Sequence, residues 1–371
     1  MVLRLKETVS RRQPIRIQYI IATLDRAGAE GQLAALLTRL DRERFEPNLT
    51  VLTRGGPHEE ELTAAGIPYE ILGKRSKLDP ALVFRVAARL RRFRPQILHT
   101  WMFTANSFGR AAAILSRVPI RVTSERAVDT WKTWPYHFTD RLLAPWTTCT
   151  VANANSVREF VNEKSRLPLQ RIRVIPNGVD YKRFEPRRHE RGEEVVFCSI
   201  GRLTLQKRMD LIIRAIGKLR DQGANCRLKI AGQGPLKEEL QALIDELQLA
   251  GAVELCGAFE DVREILNASD VFVLSSDWEG MPNVVLEAMA SGLPVVATAV
   301  DGSTELVATD QTGILVPAGD IDALATSMQR LAESAEMREQ FGKAGRQRAE
   351  TEYSMERMVE RYEELYEELA K

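Results

Sequence analysis

The sequence predicts an α/β protein with two Rossmann-like domains, each built on a doubly wound parallel sheet. Short runs rich in Val, Ile and Leu alternate with segments of helical period along most of the chain, which is typical of parallel strands joined by helices. Residues 181–194 interrupt this alternation with a charged, linker-like segment that contains Pro186 and lacks an apolar face. Since 371 residues suffice for two ordinary domains, we expect two α/β halves that face a cleft.

The apolar runs predict the strands in chain order. In the first half they are 15–24, 48–53, 69–72, 97–101, 120–124, 148–152 and 171–175, and in the second half 194–201, 226–231, 253–256, 270–274, 294–298 and 313–316. A turn at 25–31 precedes a helix through Leu40. The tail has four residues at helical spacing that favour packing, namely Tyr353, Met358, Tyr362 and Tyr366. We therefore predict domains at 14–180 and 194–350 and a C-terminal helix at 351–371.

The composition is that of a globular protein, with 44% hydrophobic and 28% charged residues. A net charge of +1 argues against a nucleic-acid-binding surface, so we expect no nucleic acid partner. The cysteines are far apart and form no Cys-x-x-Cys pair, which predicts buried, reduced thiols; they are Cys149, Cys198, Cys226 and Cys256.

Targeting signals are not evident in the sequence. No run approaches the ~20 apolar residues of a membrane span. Residues 1–14 are basic and polar without an apolar core, unlike a secretory signal. These features predict a cytoplasmic protein.

The most informative stretch is 275–288, where an apolar strand leads through a loop into a helix. In open α/β sheets, ligands bind at this carboxyl end of a strand. The backbone N–H groups of Gly280, Met281 and Asn283, together with the helix dipole, favour an anion such as phosphate at the start of the helix. The loop therefore predicts a phosphate-binding site.

Two carboxylates, Glu279 and Glu287, flank this helix start at a spacing of eight positions. Glu287 points inward from an otherwise apolar helix face, so it needs a partner, and a pair of sugar hydroxyls would supply two donors to one carboxylate. Alone, Glu287 would be read as a solvated helix residue. With Glu279 and the preceding loop, the pair indicates a polyhydroxylated, phosphorylated ligand.

The run from Glu279 to Ala297, Glu-Gly-Met-Pro-Asn-Val-Val-Leu-Glu followed by Ala-Met-Ala-Ser-Gly-Leu-Pro-Val-Val-Ala, resembles the Glu-x7-Glu signature of retaining GT-B glycosyltransferases of family 4. The resemblance implies a GT-B fold, a nucleoside diphosphate sugar as donor, and a C-terminal helix that crosses back to the first domain. It also implies that Glu279 and the amides of Met281 and Asn283 orient the donor sugar, that Val284 lines the same helix start, and that Glu287 binds the ribose.

Two cations follow the strand at 194–201. Arg202 and Lys207 belong to a Gly-Arg-Leu-x-x-x-Lys pattern, which resembles the diphosphate grip of the same family. A guanidinium and an ammonium suit a leaving diphosphate, although isolated loop cations are often only solvated. The resemblance further implies that backbone near Gly257 holds the nucleotide base. Gly28, in a glycine turn between strand and helix, is a weaker phosphate-loop candidate because such turns are also purely structural.

On the first half, His99 is the candidate catalytic residue, since it lies at the carboxyl end of an apolar strand. A histidine on a buried strand is more often a core residue, and Trp101 stands where many family members have their histidine. Glu125 and Arg126, just after the next strand, are further candidates for acceptor contact.

A divalent metal is not expected. The Asp320-Ile321-Asp322 sequence could hold one beside a diphosphate, but its position before an apolar-periodic helix favours an N-cap. No cofactor is expected besides the donor substrate.

The segment 84–94 interleaves Arg with Val, Ala, Leu and Phe, as in a basic amphipathic helix. Such a helix can lie on an anionic membrane surface, and a solvated helix face over a sheet fits equally well. For a lipid-linked sugar acceptor, this segment is where we expect docking, peripherally and at the inner face of the membrane.

These observations predict a retaining, metal-independent hexosyltransferase that moves a sugar from a nucleoside diphosphate sugar to a hydroxyl of a sugar or lipid-linked acceptor, in polysaccharide or glycolipid biosynthesis. No carboxylate can be assigned as a nucleophile, which favours attack from the face of the leaving phosphate. Two alternatives stay open: a non-catalytic nucleotide-sugar-binding subunit, and a GT-B-type epimerase or phosphorylase.

Overall fold

The computed structural model describes residues 13–76, 79–128, 132–186, 193–259 and 261–371. Most of the segment from which we expected no secretory signal (residues 1–12) and part of the predicted linker (187–192) lie outside the described residues. Two sheets form the described part of the chain, one of seven strands and one of six. The predicted α/β class with two doubly wound sheets is confirmed.

The first sheet has the strand order β3-β2-β1-β4-β5-β6-β7. Its strands are β1 Ile15–Thr23, β2 Phe45–Arg54, β3 Tyr69–Ile71, β4 Ile97–Trp101, β5 Ile120–Glu125, β6 Cys149–Ala152 and β7 Ile172–Val174. The helices between them are α1 Gly28–Arg39, α2 Glu59–Ala64, α3 Pro80–Phe93, α4 Met102–Ser116, α5 Trp134–Leu143 and α6 Asn155–Ser165. The pairings of β1 with β2 and β4, of β2 with β3, and of β4 with β5 are parallel.

The second sheet has the order β10-β9-β8-β11-β12-β13. Its strands are β8 Val195–Ile200, β9 Cys226–Ala231, β10 Val253–Gly257, β11 Val271–Leu274, β12 Val295–Thr298 and β13 Gly313–Val316. The helices are α7 Met209–Asp221, α8 Lys237–Glu246, α9 Arg263–Asn267, α10 Asn283–Ala290, α11 Ser303–Leu306, α12 Ile321–Glu333, α13 Ala335–Glu352 and α14 Met355–Ala370. All five neighbouring pairs are parallel. Each predicted strand is found, with ends that differ by up to three residues.

The packing of the chain forms two compact units. One compact unit holds the described residues up to Ser124, with Phe138–Thr150 and Tyr362–Lys371, and the other holds the described residues of Glu125–His137 and Val151–Arg361. The segments after β5 and β7 join the second unit because they bond to its loops: Ala127 bridges Gly280, and Asn177 bonds Met281. The end of α14 joins the first unit.

The strand order of the second sheet fixes where a ligand can bind. β8 pairs with β9 on one side and with β11 on the other. At such a reversal of strand order, the connections leave towards opposite faces of the sheet and open a crevice at the carboxyl ends of the strands. The loops after β8 and β11 border this crevice, and they carry Arg202, Lys207 and Glu279.

Candidate functional site

Hydrogen bonds join the loop after β8 to the loop after β11. The hydroxyl of Ser275 donates to the carbonyl oxygens of Lys207 and Arg208, both at 2.8 Å. The backbone carbonyl oxygen of Gln206 accepts a hydrogen bond from the backbone N–H of Asp277 at 2.9 Å. The side-chain amide of Gln206 donates to the backbone carbonyl of Trp278 at 2.7 Å. These bonds hold the two loops in one register, so the side chains they carry are positioned together.

Lys207 and Glu279 form an ion pair at the centre of this joined loop. The Nζ atom of Lys207 lies 2.5 Å from Oε1 of Glu279, and the two side chains are only 12% and 9% exposed. The same carboxylate oxygen accepts from the hydroxyl of Ser276 at 2.6 Å, and the backbone N–H of Glu279 donates to Asp301 at 2.8 Å. Since an ammonium carries three donors, Lys207 can hold Glu279 and still bind the oxygens of an anion.

Arg202 is the exposed cation of the same loop. Its guanidinium approaches the side-chain oxygen of Gln206 at 3.4 Å. A single long bond leaves most of the guanidinium donors directed to solvent, so this side chain can fold onto a diphosphate in the crevice. The structure places Arg202 on the loop that carries Lys207, as the sequence predicts.

Gly280 lies in close contact with other backbone segments, which the sequence does not suggest. A Cβ atom at Gly280 would lie 1.9 Å from the carbonyl oxygen of Arg126, and one at Gly302 would lie 2.1 Å from the carbonyl oxygen of Gly280. The backbone N–H of Gly302 also donates to that oxygen at 2.8 Å. The sequence analysis counted the backbone N–H of Gly280 among the groups that favour an anion. The close approach in the structure is to other backbone segments, which fix the loop.

Asn177, which the sequence analysis did not single out, is buried behind the start of α10. Its side-chain amide donates to the carbonyl of Met281 at 3.0 Å and to the side chain of Asn283 at 2.6 Å, and its carbonyl accepts from Arg126. Pro282 supplies no side-chain cap to this helix. The amides of the first turn, including that of the half-buried Val284, therefore lack a capping acceptor from the N-cap side chain.

Glu287 lies half-buried in the second turn of α10, and its carboxylate makes no hydrogen bond to the part of the chain that the structure describes. Burial among protein atoms raises the pKa of Glu287 to about 7; the positive charge of Arg183 opposes the rise, and the negative charge of Asp261 adds to it. A carboxylate without hydrogen-bond donors gains when a ligand supplies them. The side chain therefore suits a ligand with paired hydroxyls.

Arg183 and Asp261 also line a cleft of about 750 Å³. Arg263 pairs with Asp261 there and donates to the carbonyl of Arg183 at 3.4 Å. The sequence analysis assigned Arg183 to the linker. Its contact with Arg263 joins segments that are 80 positions apart in the chain. No local pattern marked it.

Gly257 ends β10 with a φ of 76°, a conformation that favours glycine. Its carbonyl oxygen accepts from the backbone N–H of Gly232 at 2.7 Å, and a Cβ atom at Gly257 would meet open space. The glycine thus allows a turn at the carboxyl edge of the sheet, and the space beside its backbone is open. Gly257 thus lies at the sheet edge where the resemblance places the base-binding segment.

In the first unit, Gly28 is exposed as the first residue of α1, directly after β1. Its place at a strand-to-helix turn is as predicted.

His99 lies in the core of the first unit, with no exposed surface. Its Nδ1 atom is 2.7 Å from the hydroxyl of Tyr366, and its Nε2 atom is 2.8 Å from the hydroxyl of Ser124. The rings of Tyr19 and Trp101 pack beside it. Because both ring nitrogens are engaged away from solvent, the geometry favours a structural role and gives no support to proton transfer with a substrate.

Replacing His99 with Ala is expected to lower the free energy of unfolding of the first unit by about 2–5 kcal/mol, since it leaves a cavity and two buried hydroxyls without their partner. Chemical denaturation, followed with nucleotide titration at low denaturant, measures both stability and binding. His137→Ala is the matched control, because that ring is half-buried. Equal stability of the two variants would contradict this assignment.

Other polar candidates are also engaged. Glu125 forms a buried ion pair with Lys132 at 3.1 Å, and Arg126 bonds Asn177. These contacts hold the segment after β5 rather than presenting its side chains to an acceptor. Asp320 accepts from the backbone N–H of Ala323 at 2.9 Å as the N-cap of α12, which confirms the capping interpretation.

Two other features are absent from the described ranges. No cluster of three or more His, Cys, Asp or Glu side chains there could hold a metal ion. In the same ranges, no helix combines the length and the apolar character needed to cross a bilayer.

Two family models match consecutive parts of the chain. Residues 26–183 match the model of Glycosyltransferase Family 4, and residues 181–348 match that of Glycosyl transferases group 1. The second match includes the loops with Lys207, Glu279 and Glu287. The chain belongs to this glycosyltransferase family.

Relatives and solved structures agree with this assignment. The chain is 40% identical over 179 residues to the Escherichia coli protein named as a colanic acid biosynthesis glycosyltransferase, WcaL, in a match that covers 46% of this chain and 43% of that one. It thus spans less than half of that relative. An Escherichia coli UDP-Gal:α-D-GlcNAc-diphosphoundecaprenol α-1,3-galactosyltransferase is 27% identical over 321 residues, 79% of this chain and 82% of its own.

Among solved structures, Anabaena HepE in complex with UDP and glucose superposes with a TM-score of 0.84 at 18% identity, over 95% of this chain and all of that one. At this identity the likeness concerns the fold alone. It confirms the GT-B architecture for this family member.

Proposed function

We propose that the protein is a retaining glycosyltransferase that moves a hexose from a nucleoside diphosphate sugar to a hydroxyl acceptor in polysaccharide or glycolipid biosynthesis. The observation that carries the proposal is the largely buried Lys207–Glu279 pair at the switch point of the second sheet. It sets a fixed cation beside a carboxylate. A leaving diphosphate needs the cation, and the hydroxyls of a donor sugar need the carboxylate.

In the proposed reaction, the bond from the anomeric carbon to the diphosphate oxygen breaks, and the acceptor oxygen bonds that carbon on the same face. The acceptor proton passes to the leaving phosphate oxygen. Lys207 and Arg202 stabilise the negative charge that develops on the diphosphate, with the first-turn amides of α10 beside them. Glu279 orients the sugar, and Glu287 accepts hydrogen bonds from the ribose hydroxyls.

These residues supply positive charge without a metal, so we propose a metal-independent reaction with no cofactor besides the donor. Uridine diphosphate sugars are the proposed donors, since one relative is named for UDP-Gal and one structural neighbour was solved with UDP. The first of these names also supports a lipid-linked acceptor. We place the reaction at the cytoplasmic face of a membrane, with peripheral contact.

The test is a transfer assay with labelled UDP-glucose, UDP-galactose and UDP-N-acetylglucosamine, a polyprenyl-diphosphate-linked sugar as acceptor, and a chelator in one arm. We expect one donor to give product with the anomeric configuration of the donor at an unchanged rate in chelator. An inverted product would overturn retention. Donor binding without turnover would favour the non-catalytic subunit, and release of an epimer or a sugar phosphate would favour the other two alternatives.

A further inference from the structure

The loop after β12, residues 299–302, holds two consecutive groups of the loop that carries Glu279. The carboxylate of Asp301 accepts a hydrogen bond from the backbone N–H of Glu279 at 2.8 Å. The backbone N–H of Gly302 donates to the carbonyl oxygen of Gly280, also at 2.8 Å. The loop after β11 is therefore fixed from the side of β12 as well as from the side of β8.

Asp301 and Gln206 hold the peptide group between Trp278 and Glu279 from opposite ends. The carbonyl oxygen of this peptide, on Trp278, accepts from the side-chain amide of Gln206 at 2.7 Å. Its N–H, on Glu279, donates to Asp301. Because the peptide is planar and both of its polar groups are bonded, it cannot rotate without breaking a bond. Its orientation sets the start of the Glu279 side chain, which then reaches Lys207 at 2.5 Å.

The backbone of Asp301 adopts a conformation that few side chains tolerate. Its φ is 40°, in the left-handed region that Gly adopts freely and other residues adopt at a cost, least often avoided by Asn and Asp. In the part of the chain that the structure describes, the carboxylate makes one hydrogen bond, to the N–H of Glu279. Strained residues are found mainly at functional sites. The bond to Glu279 is therefore the function that we expect this strain to serve.

Asp310 offers a comparison within the same unit. It is an exposed aspartate with a φ of 57°, so it shares the residue type and the backbone conformation of Asp301. Its carboxylate pairs with Arg330 at 3.1 Å, and its backbone N–H donates to Gly313. The two aspartates differ in what they hold, since only Asp301 bonds the loop of Glu279.

We propose that Asp301 is a positioning residue for the donor sugar, which acts by fixing the peptide of Glu279. The carboxylate of Glu279 then meets the hydroxyls of the hexose while Lys207 binds the diphosphate. Asp301 makes no hydrogen bond to Lys207 within the described residues, so its effect is directed to the sugar half of the donor. Misplacing a group in a site by about 1 Å can lower a rate about 100-fold. The identity of the ligand rests on the proposed function.

The test is Asp301→Gly, which removes the carboxylate and leaves a residue that adopts a φ of 40° without strain, so the variant is expected to fold. With a UDP-hexose, kcat is expected to fall about tenfold, and the preference for UDP-hexose over UDP, measured by calorimetric titration, about tenfold as well. The affinity for UDP alone is expected to stay within about twofold, because the cations are unchanged. Hydrogen exchange at the amide of Glu279, followed by mass spectrometry of fragments spanning 275–283, is expected to be about tenfold faster.

Two further variants separate positioning from other roles. Asp301→Asn keeps an oxygen that can accept the same N–H and tolerates the left-handed region, so it is expected to restore all the measured quantities to within about threefold of the unsubstituted protein. Asp310→Gly is the matched control, and it is expected to leave them unchanged.

Equal losses in Asp301→Asn and Asp301→Gly would overturn the proposal, because the charge of Asp301 would then act directly on the substrate. Unchanged exchange at Glu279 or unchanged transfer in Asp301→Gly would also overturn it, as would an equal loss in Asp310→Gly. Amide exchange and UDP-hexose binding require no turnover. They therefore test Asp301 even if the unsubstituted protein transfers no sugar to any acceptor, a result that would refute only the proposed enzyme.

Discussion

Replacing Lys207 with Met is expected to lower the rate of sugar transfer roughly 100- to 1,000-fold, because the substitution removes the cation proposed to stabilise the leaving diphosphate. It also leaves the Glu279 carboxylate without its 2.5 Å partner in a site that is only 9% exposed. Nucleoside diphosphate affinity should fall as well. Steady-state transfer assays and calorimetric titration of UDP measure the two effects.

Arg208 provides the matched control for Lys207. It is the next residue along the loop, and its guanidinium pairs with Asp210 and Asp277 rather than with Glu279. Since those carboxylates already balance its charge, Arg208→Met is expected to lower transfer less than about fivefold. Equal losses in the two variants would mean that general positive charge, and not the position of Lys207, supports the reaction.

Donor binding is expected to strengthen about tenfold between pH 6 and pH 8, because it requires the ionised form of Glu287. Burial raises the pKa of this carboxyl to about 7. Donated hydrogen bonds from ribose hydroxyls favour the carboxylate, so binding releases a proton and weakens as the pH falls through 7. Titration with a UDP-sugar measures this, since its diphosphate has no titrating group in that range.

Glu287→Gln separates this effect from other titrations. The amide keeps the shape but not the charge, so affinity at pH 8 should fall about 10- to 100-fold and the dependence on pH should vanish. A pH dependence that persists in Glu287→Gln would assign the titration to another group and remove Glu287 from the ribose site.

The architecture and the main site loops could be predicted because their signals are local. The alternation of apolar runs with helical segments is visible in consecutive residues, and it predicts every strand of both sheets. The positions of Lys207 and Glu279 followed from the same pattern, since each comes directly after a parallel strand, and β8 and β11 are neighbours. Their actual ion pair needed the strand order, which no local pattern contains.

The residues whose roles sequence reasoning missed or misjudged are defined by contacts between distant segments. Asn177 bonds residues about 100 positions away, at the start of α10. Gly280 is required by the carbonyl of Arg126, and His99 owes its buried environment to Tyr366 on the last helix. A histidine at a strand end looks the same in sequence whether it faces a cleft or a core. Only the packing of α14 decides between them.

The most direct test of the account is calorimetric titration of UDP into the unsubstituted protein, Lys207→Met and Glu287→Gln, with a chelator present throughout. The account predicts binding to the unsubstituted protein that the chelator does not prevent, and weaker binding to both variants. Unchanged UDP affinity in both variants would contradict the assignment of the donor site to the crevice between the loops after β8 and β11.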